Sequence, residues 1–272
     1  MKTLGVLGIV AVWVSSSGCA GPAPIKPGSP AFFWAVANES YRTGDLLKTD
    51  ATLLELSTGN HEFAARAQIW QMVVSAGLSQ GLWELADAYQ AGSEVTPAGF
   101  RNEASRLRSM AANKALEFTQ AVRNTCEDRD SAVQLAFGFP PGSIERLPAL
   151  AKISAGTWLP DAGREELERA TLQRGVIRAV SAAVGSPDDP GTALKSFVSP
   201  TIQVPRQTFF FYMARFLYEQ AGLFDAKHID RPDRQMVMYQ VALAALRSID
   251  QSDDAEALAA RIHNAIKKLP GV

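Results

Sequence analysis

Apolar residues recur at helical spacing along almost the whole chain after residue 29, and no stretch alternates convincingly between apolar and polar residues. In one long stripe, between residues 100 and 122, the opposite face carries charged residues such as Arg101, Arg108 and Lys114, as a helix with one solvated side requires. Further helices are predicted near 144–155, 161–184, 206–222, 232–249 and 253–269. We therefore expect an all-α fold, built from antiparallel helix pairs stacked into a repeat-like or irregular array.

Glycine and proline residues divide this helical pattern into segments. Gly77 and Gly81 flank three residues that predict a turn between two helices, at about 60–76 and 79–91. The segment 199–205, which begins and ends near prolines, is extended and is the one place where the pattern leaves room for a short strand.

The strongest internal break lies at 138–143, where glycine, proline and serine replace the helical pattern. It separates an N-terminal helical region, 30–137, from a C-terminal helical region, 144–272. Each region presents more apolar surface than short helices bury alone. We therefore expect the two regions to pack together as one unit.

The N-terminus has the layout of a secretory signal. Lys2 supplies a positive charge, an uninterrupted apolar run covers 4–14, and small residues lead to Cys19. The apolar run is too short to span a bilayer permanently. Residues 1–18 are thus predicted to be a cleaved signal peptide, and 19–29, rich in proline and glycine, a flexible tether.

The residues Ser17, Gly18 and Cys19 resemble the lipobox of bacterial lipoproteins, in which the cysteine becomes the lipid-bearing first residue. The family usually has leucine three places before the cysteine, where this chain has Ser16, so ordinary cleavage after Ser17 or Ala20 stays an alternative. The resemblance implies export and lipidation of Cys19. Ala20, in the position after the cysteine, resembles the residue found there in lipoproteins that are sorted to the outer membrane. This resemblance implies a location on the periplasmic face of the outer membrane.

Part of the N-terminal region resembles a tetratricopeptide (TPR) unit. Trp34, Tyr41, Gly44 and Asp45 are spaced along one helix and its turn, and the apolar residues of 46–56 follow on a second helix. In that family the Trp and Tyr pack against the paired helix. The resemblance covers about the first 120 residues and implies stacked helix pairs with a concave surface that binds peptides or proteins.

Composition narrows the possible functions. The chain has 27 Lys and Arg against 28 Asp and Glu, a formal net charge of −1, so no strong positive field favours nucleic acid as a partner. The chain has two cysteines; lipidation of Cys19 would leave Cys126 as a lone thiol, which we expect to be inert and partly buried.

No motif for phosphate binding, nucleophilic catalysis or zinc ligation stands out, so the prediction includes no catalytic residue, metal or cofactor. The densest polar cluster surrounds His228. A catalytic interpretation makes His228 a base oriented by Asp230, whereas a structural one makes Asp230 or Asp233 the start of a helix. We favour the structural interpretation and keep His228 and Asp230 as a secondary candidate site.

Glu62, Arg66 and Trp70 form a row at helical spacing and are the candidate binding surface. The aromatic segment 209–218 is apolar on all sides, which favours a core helix over a ligand pocket. The leading hypothesis is a non-catalytic envelope lipoprotein that binds or scaffolds another envelope protein. The alternative is a helical periplasmic enzyme or small-molecule carrier with a C-terminal aromatic pocket.

Overall fold

The computed structural model describes residues 26–126, 133–135, 138–196 and 202–270, and over these residues the chain is all-α, as predicted, apart from one two-stranded sheet. The first five helices are α1 (Pro30–Thr43), α2 (Leu46–Ser57), α3 (Ala64–Gly92), α4 (Pro97–Cys126) and α5 (Pro148–Ser154). The remaining helices are α6 (Asp161–Ala183), α7 (Pro190–Ser196), α8 (Arg206–Gln220), α9 (Pro232–Arg247) and α10 (Asp253–Ile266). The strands are β1 (Val133–Leu135) and β2 (Ile202–Val204).

The turn between α1 and α2 is built by the two residues that the sequence pattern singled out. Gly44 ends α1 with a φ of +80°, a conformation that glycine adopts without strain. Asp45 begins α2, where its carboxylate accepts a hydrogen bond from the backbone N–H of Lys48 at 3.2 Å. A two-residue connection of this kind returns the chain and lets α2 pack against α1.

The aromatic residues of α1 pack against the chain that follows α2. The ring of Trp34 stacks on Phe63, with ring centroids 5.3 Å apart, just before α3 begins. Tyr41 meets Trp70 edge to face, also at 5.3 Å, in the buried core. These two contacts fix α1 on the N-terminal half of α3.

α3 is the central helix of the fold, because it packs against α2, α4, α5 and α6. It runs without interruption through Gly77 and Gly81, so the turn predicted at 78–80 is wrong. The glycines instead permit a close crossing with α6. A Cβ atom on Gly175 would lie 2.2 Å from the carbonyl oxygen of Gly77, and only residues without a side chain let two backbones approach this closely.

The C-terminal helices surround the aromatic helix α8. Phe209, Phe210, Met213 and Leu217 of this helix are all fully buried. α8 packs mainly against α9, and α10 packs on α9. The segment 199–205, where the pattern left room for a short strand, contains β2. It is not the one place with a strand, because its antiparallel partner β1, with Val133 opposite Val204, lies in the region predicted to be helical.

The two predicted regions share the interface between α3 and α6. The segment around 138–143 also joins them, because the Tyr41 hydroxyl donates a hydrogen bond to the carbonyl oxygen of Gly138 at 2.8 Å. Among the described residues, no helix has both the length and the apolar composition needed to cross a membrane.

Candidate functional site

The predicted binding row of Glu62, Arg66 and Trp70 is not one surface. Trp70 is fully buried, because α3 is the central helix and this position faces α1 and the core. Trp70 therefore cannot serve as a binding residue, and that part of the prediction is wrong. Glu62 and Arg66 line an open cleft of about 380 Å³ near the end of α4, together with Arg206 at the start of α8.

His228 has a carboxylate partner, but it is Asp225 and not Asp230. The Nδ1 atom of His228 lies 2.7 Å from a carboxylate oxygen of Asp225, which also accepts the backbone N–H of Lys227. Asp230 has a left-handed backbone (φ +54°) and contributes its N–H to the carbonyl oxygen of Asp225. The His228 ring rests edge-on against Trp83 at 5.4 Å. These contacts shape the loop before α9. The helix cap that the structural interpretation assigned to Asp230 or Asp233 is wrong, because α9 has Arg231 at its N-cap without a side-chain hydrogen bond. Asp233 lies in the first turn of the helix and pairs with Arg231.

Cys19, the predicted lipidation site, lies outside the described residues, as do the signal peptide and most of the tether. The aromatic side chains of α8 mostly fill the core. Tyr212 and Phe216 reach the edge of an open cleft of about 340 Å³ that they share with Arg178 and Arg215. The cysteine inside the described part, Cys126, is buried at the end of α4.

A buried ion pair joins α2 to α4. The carboxylate of Asp50, fully buried, lies 2.6 Å from the ammonium of Lys114 and accepts a hydrogen bond from the Ser75 hydroxyl at 2.6 Å. Lys114 also contacts Glu117 at 2.6 Å, at the edge of the solvent. Burial is the largest influence on Asp50 and raises the pKa of this carboxyl from 3.8 to about 6, against the opposing effect of Lys114. Through Asp50, the cluster connects α2 with Ser75 of α3 and Lys114 of α4.

The raised pKa of Asp50 makes the free energy of unfolding depend on pH. Because the folded state holds this proton more tightly than the unfolded chain, the contribution of Asp50 is largest below pH 3.8 and is lost as the pH rises through about 6. We expect the wild type to lose stability relative to Asp50→Asn between about pH 4 and pH 7. Urea unfolding of both proteins at several pH values measures this difference in the free energy of unfolding. The contributions of the other carboxyl groups cancel, because both proteins contain them. A difference that stays constant or grows with pH would contradict the prediction.

The most prominent exposed apolar feature is a platform around Trp158, in the loop between α5 and α6. Trp158 is 45% exposed, and Val95, which lies against Gly156 two residues before Trp158, is 69% exposed. The covered side of Trp158 rests on Phe100, with ring centroids 4.8 Å apart, and on Tyr89 at 6.1 Å. The guanidinium of Arg164 lies 4.8 Å from the centre of the indole ring, close enough for a cation–π interaction.

The platform is held in place by the two loops that carry it. The Thr96 hydroxyl donates a hydrogen bond to the carbonyl oxygen of Gly156 at 2.9 Å, which ties the loop before α4 to the loop before α6. Gly156 (φ +78°) and Gly99 (φ +81°) both have backbone conformations that favour glycine. Gly99 lies next to the Trp158 ring, where an added Cβ would be 3.5 Å from the nearest ring carbon. The indole is therefore positioned before any partner arrives.

A charged cleft continues from the platform. It encloses about 300 Å³ between α3, α4 and the start of α6, and Tyr89 and Arg164 belong to both features. Its charged lining is Glu103, Arg106, Asp161, Arg164, Glu165 and Glu168. Four carboxylates against two guanidinium groups leave the cleft with a formal charge of −2. Of the platform residues, Trp158 and Arg164 face the solvent, whereas Tyr89 is buried beneath them.

Sequence reasoning missed Trp158, although one signal pointed to it. The residue follows Gly156 and precedes Pro160, so it lies in a loop that has no helical face on which to bury a large ring. An aromatic residue in such a loop either caps the core or faces solvent, and Trp158 does both. The stacking of Arg164 on the ring depends on where α6 begins and has no signal in the sequence.

Comparison with known proteins finds no family model that matches the chain, and neither a curated protein nor a solved structure with significant similarity to it. Over the residues that the structure describes, no group of three or more histidine, cysteine, aspartate or glutamate side chains is arranged to hold a metal ion.

Proposed function

We propose that the protein is an exported lipoprotein of the bacterial cell envelope that binds another envelope protein and performs no chemistry. A lipid on Cys19 would hold the chain at the membrane, and the proline- and glycine-rich tether of residues 19–29 would let the helical domain stand away from the lipid surface. The helical array, whose first hairpin we take to be TPR-like, would serve as a rigid support for the binding surface.

The observation that carries the proposal is the platform around Trp158. Exposed apolar surface that is concentrated in one place is typical of interaction sites. Here Trp158 is 45% exposed, and Val95, 69% exposed, lies on the neighbouring loop against Gly156. The large apolar area and the stacked Arg164 are typical of residues that dominate binding energy at protein interfaces. A rigid platform also loses little conformational entropy when a partner binds.

The platform is tested by Trp158→Ala in the cells that produce the protein. The wild type should form one discrete complex on formaldehyde cross-linking, and Trp158→Ala should reduce its yield at least about tenfold, because a hot-spot truncation costs about 2 kcal/mol or more of binding. Cross-linking of intact cells followed by immunoblotting measures the yield.

Ile144→Ala is the matched control, because Ile144 is 43% exposed and lines the separate cleft at Arg178, about four turns along α6 from Arg164. It should leave the yield unchanged. A second variant, Val95→Ser, changes the exposed surface without touching the rings beneath Trp158 and should lower the yield as well. Equal yields from all four proteins would contradict the proposal.

The anchor is tested by Cys19→Ser. If Cys19 carries the acyl chains, this variant should incorporate no labelled fatty acid and should move from the membrane fraction to the soluble fraction. Labelling with radioactive palmitate, followed by fractionation, gives both results. A wild-type protein that is already soluble and unlabelled would refute the anchor while leaving the binding surface open to its own test.

A further inference from the structure

We propose that the segment which docks on the Trp158 platform is a basic peptide with apolar side chains, rather than an acidic peptide or an anionic lipid surface. This inference rests on the proposed function and specifies the chemistry of the partner. Two properties of the charged cleft support it: the cleft has a net negative charge, and both of its arginines already pair with carboxylates of the same chain.

Both arginines of the cleft are occupied by carboxylates within the chain. The guanidinium of Arg106 contacts Glu103 at 2.6 Å and Glu168 at 3.5 Å, and Arg164 is hydrogen-bonded to Asp161. An acidic ligand would have to displace these carboxylates before it could pair with either arginine. The cleft therefore offers no available cation to an incoming anion.

Glu165 is the carboxylate that remains available. It is exposed, it lines the cleft, and it makes no ion pair with any residue in the described part of the chain. The cleft as a whole keeps its formal charge of −2, which repels acidic peptides and anionic lipid headgroups and attracts lysine or arginine side chains. The arginine on the platform does not reverse this preference, since Asp161 neutralises it.

The apolar part of the ligand is set by the platform. Trp158 exposes apolar surface at the edge of the cleft, because Arg164, which lines the cleft, lies against its indole ring. Val95 adds exposed apolar surface on the neighbouring loop, against Gly156. A segment that covers both the platform and the cleft must place an apolar side chain on the ring and a cation within reach of Glu165. A short peptide in which lysine and leucine alternate has this combination.

The inference is tested by fluorescence anisotropy with the purified protein and three labelled peptides of equal length. The first alternates Lys and Leu, the second has Glu in place of Lys, and the third has Ser in place of Leu. The Lys–Leu peptide should bind most tightly, with an affinity that falls as salt is added. Trp158→Ala should weaken it at least about 30-fold, and Glu165→Lys should weaken it about tenfold.

Glu166→Lys is the matched charge control, because Glu166 is exposed on the next position of α6 and does not line the cleft. It should weaken binding much less than Glu165→Lys. Equal effects of the two variants, or tighter binding of the Glu–Leu peptide, would overturn the inference. Trp158-dependent binding to vesicles of phosphatidylglycerol and phosphatidylethanolamine would overturn it in favour of a lipid surface. If the cross-linked complex in cells still depends on Trp158 in either case, the proposed function survives and only the partner chemistry is wrong.

Discussion

Gly175→Ala is expected to destabilise the protein by about 3 kcal/mol, at the upper end of the range for overpacking a core, although alanine favours helices. The added Cβ would lie 2.2 Å from the carbonyl oxygen of Gly77 and 2.9 Å from the backbone nitrogen of Gly81. Both obstacles are backbone atoms of α3, so no side chain can rotate away and the two helices must separate. Denaturant unfolding of the wild type and the variant measures the loss.

Gly163→Ala provides the control on the same helix. A Cβ atom there would meet nothing closer than 3.7 Å, and the residue has ordinary helical geometry. The substitution should leave stability unchanged or raise it by up to about 1 kcal/mol, because alanine restricts the unfolded chain. If Gly175→Ala were as well tolerated as Gly163→Ala, the close crossing of α3 and α6 would be wrong.

Lys114→Ala is expected to cost about 3–5 kcal/mol at neutral pH, the range observed when one partner of a buried ion pair is removed. The ammonium of Lys114 lies 2.6 Å from Asp50, which is fully buried and would be left as an uncompensated charge or forced to take up a proton. Thermal or urea unfolding at pH 7 measures the effect.

Two further variants separate the buried pair from ordinary surface charge. Glu117→Gln removes the second, more exposed carboxylate of Lys114 and should cost under about 1 kcal/mol. The double variant Asp50→Asn with Lys114→Met should recover a large part of the stability that Lys114→Ala loses, because neither residue then carries a buried charge. A double variant as unstable as Lys114→Ala would show that the loss comes from packing and not from charge.

The helices could be predicted from the sequence wherever one face stays apolar for several turns. The segments 161–184, 232–249 and 253–269 were predicted close to their observed bounds as α6, α9 and α10. In α10, Ser252 caps the first turn, and Ala255, Leu258 and Ile262 face the core. The local pattern was therefore sufficient to predict this helix. Such helices need no knowledge of the residues they pack against.

The errors arose where a distant element decides the local structure. Gly77 and Gly81 have the same signature in a turn and in a helix crossing, and only the position of Gly175 on α6 distinguishes the two. Asp50 lies in a helix that is ordinary by pattern, and its ion pair depends on the approach of α4. The sequence determines these contacts, but its local patterns do not show which helices pack against each other.

The candidate site was predicted less well than the fold. Glu62 and Arg66 line a cleft, whereas Trp70 faces the core. Helical spacing predicts that residues lie in a row on one face, but it does not show which residues of the row are buried by a neighbouring helix. The Trp158 platform is assembled from the loop before α4 and the loop before α6, which are far apart in sequence. Loop geometry of this kind depends on hydrogen bonds between distant segments, such as that from the Thr96 hydroxyl to the Gly156 carbonyl oxygen.

The most direct test of the central claim is site-specific photo-cross-linking in the cells that produce the protein. A benzophenone amino acid replaces Val95, which is 69% exposed and lies against Gly156, two residues before Trp158, and in a second strain it replaces Ile144. If a partner protein binds at the Trp158 platform, one discrete protein adduct should form at position 95 and should be lost when Trp158→Ala is added. No such adduct should form at position 144. An adduct at position 144 with none at position 95, or an adduct at 95 that does not depend on Trp158, would contradict the central claim.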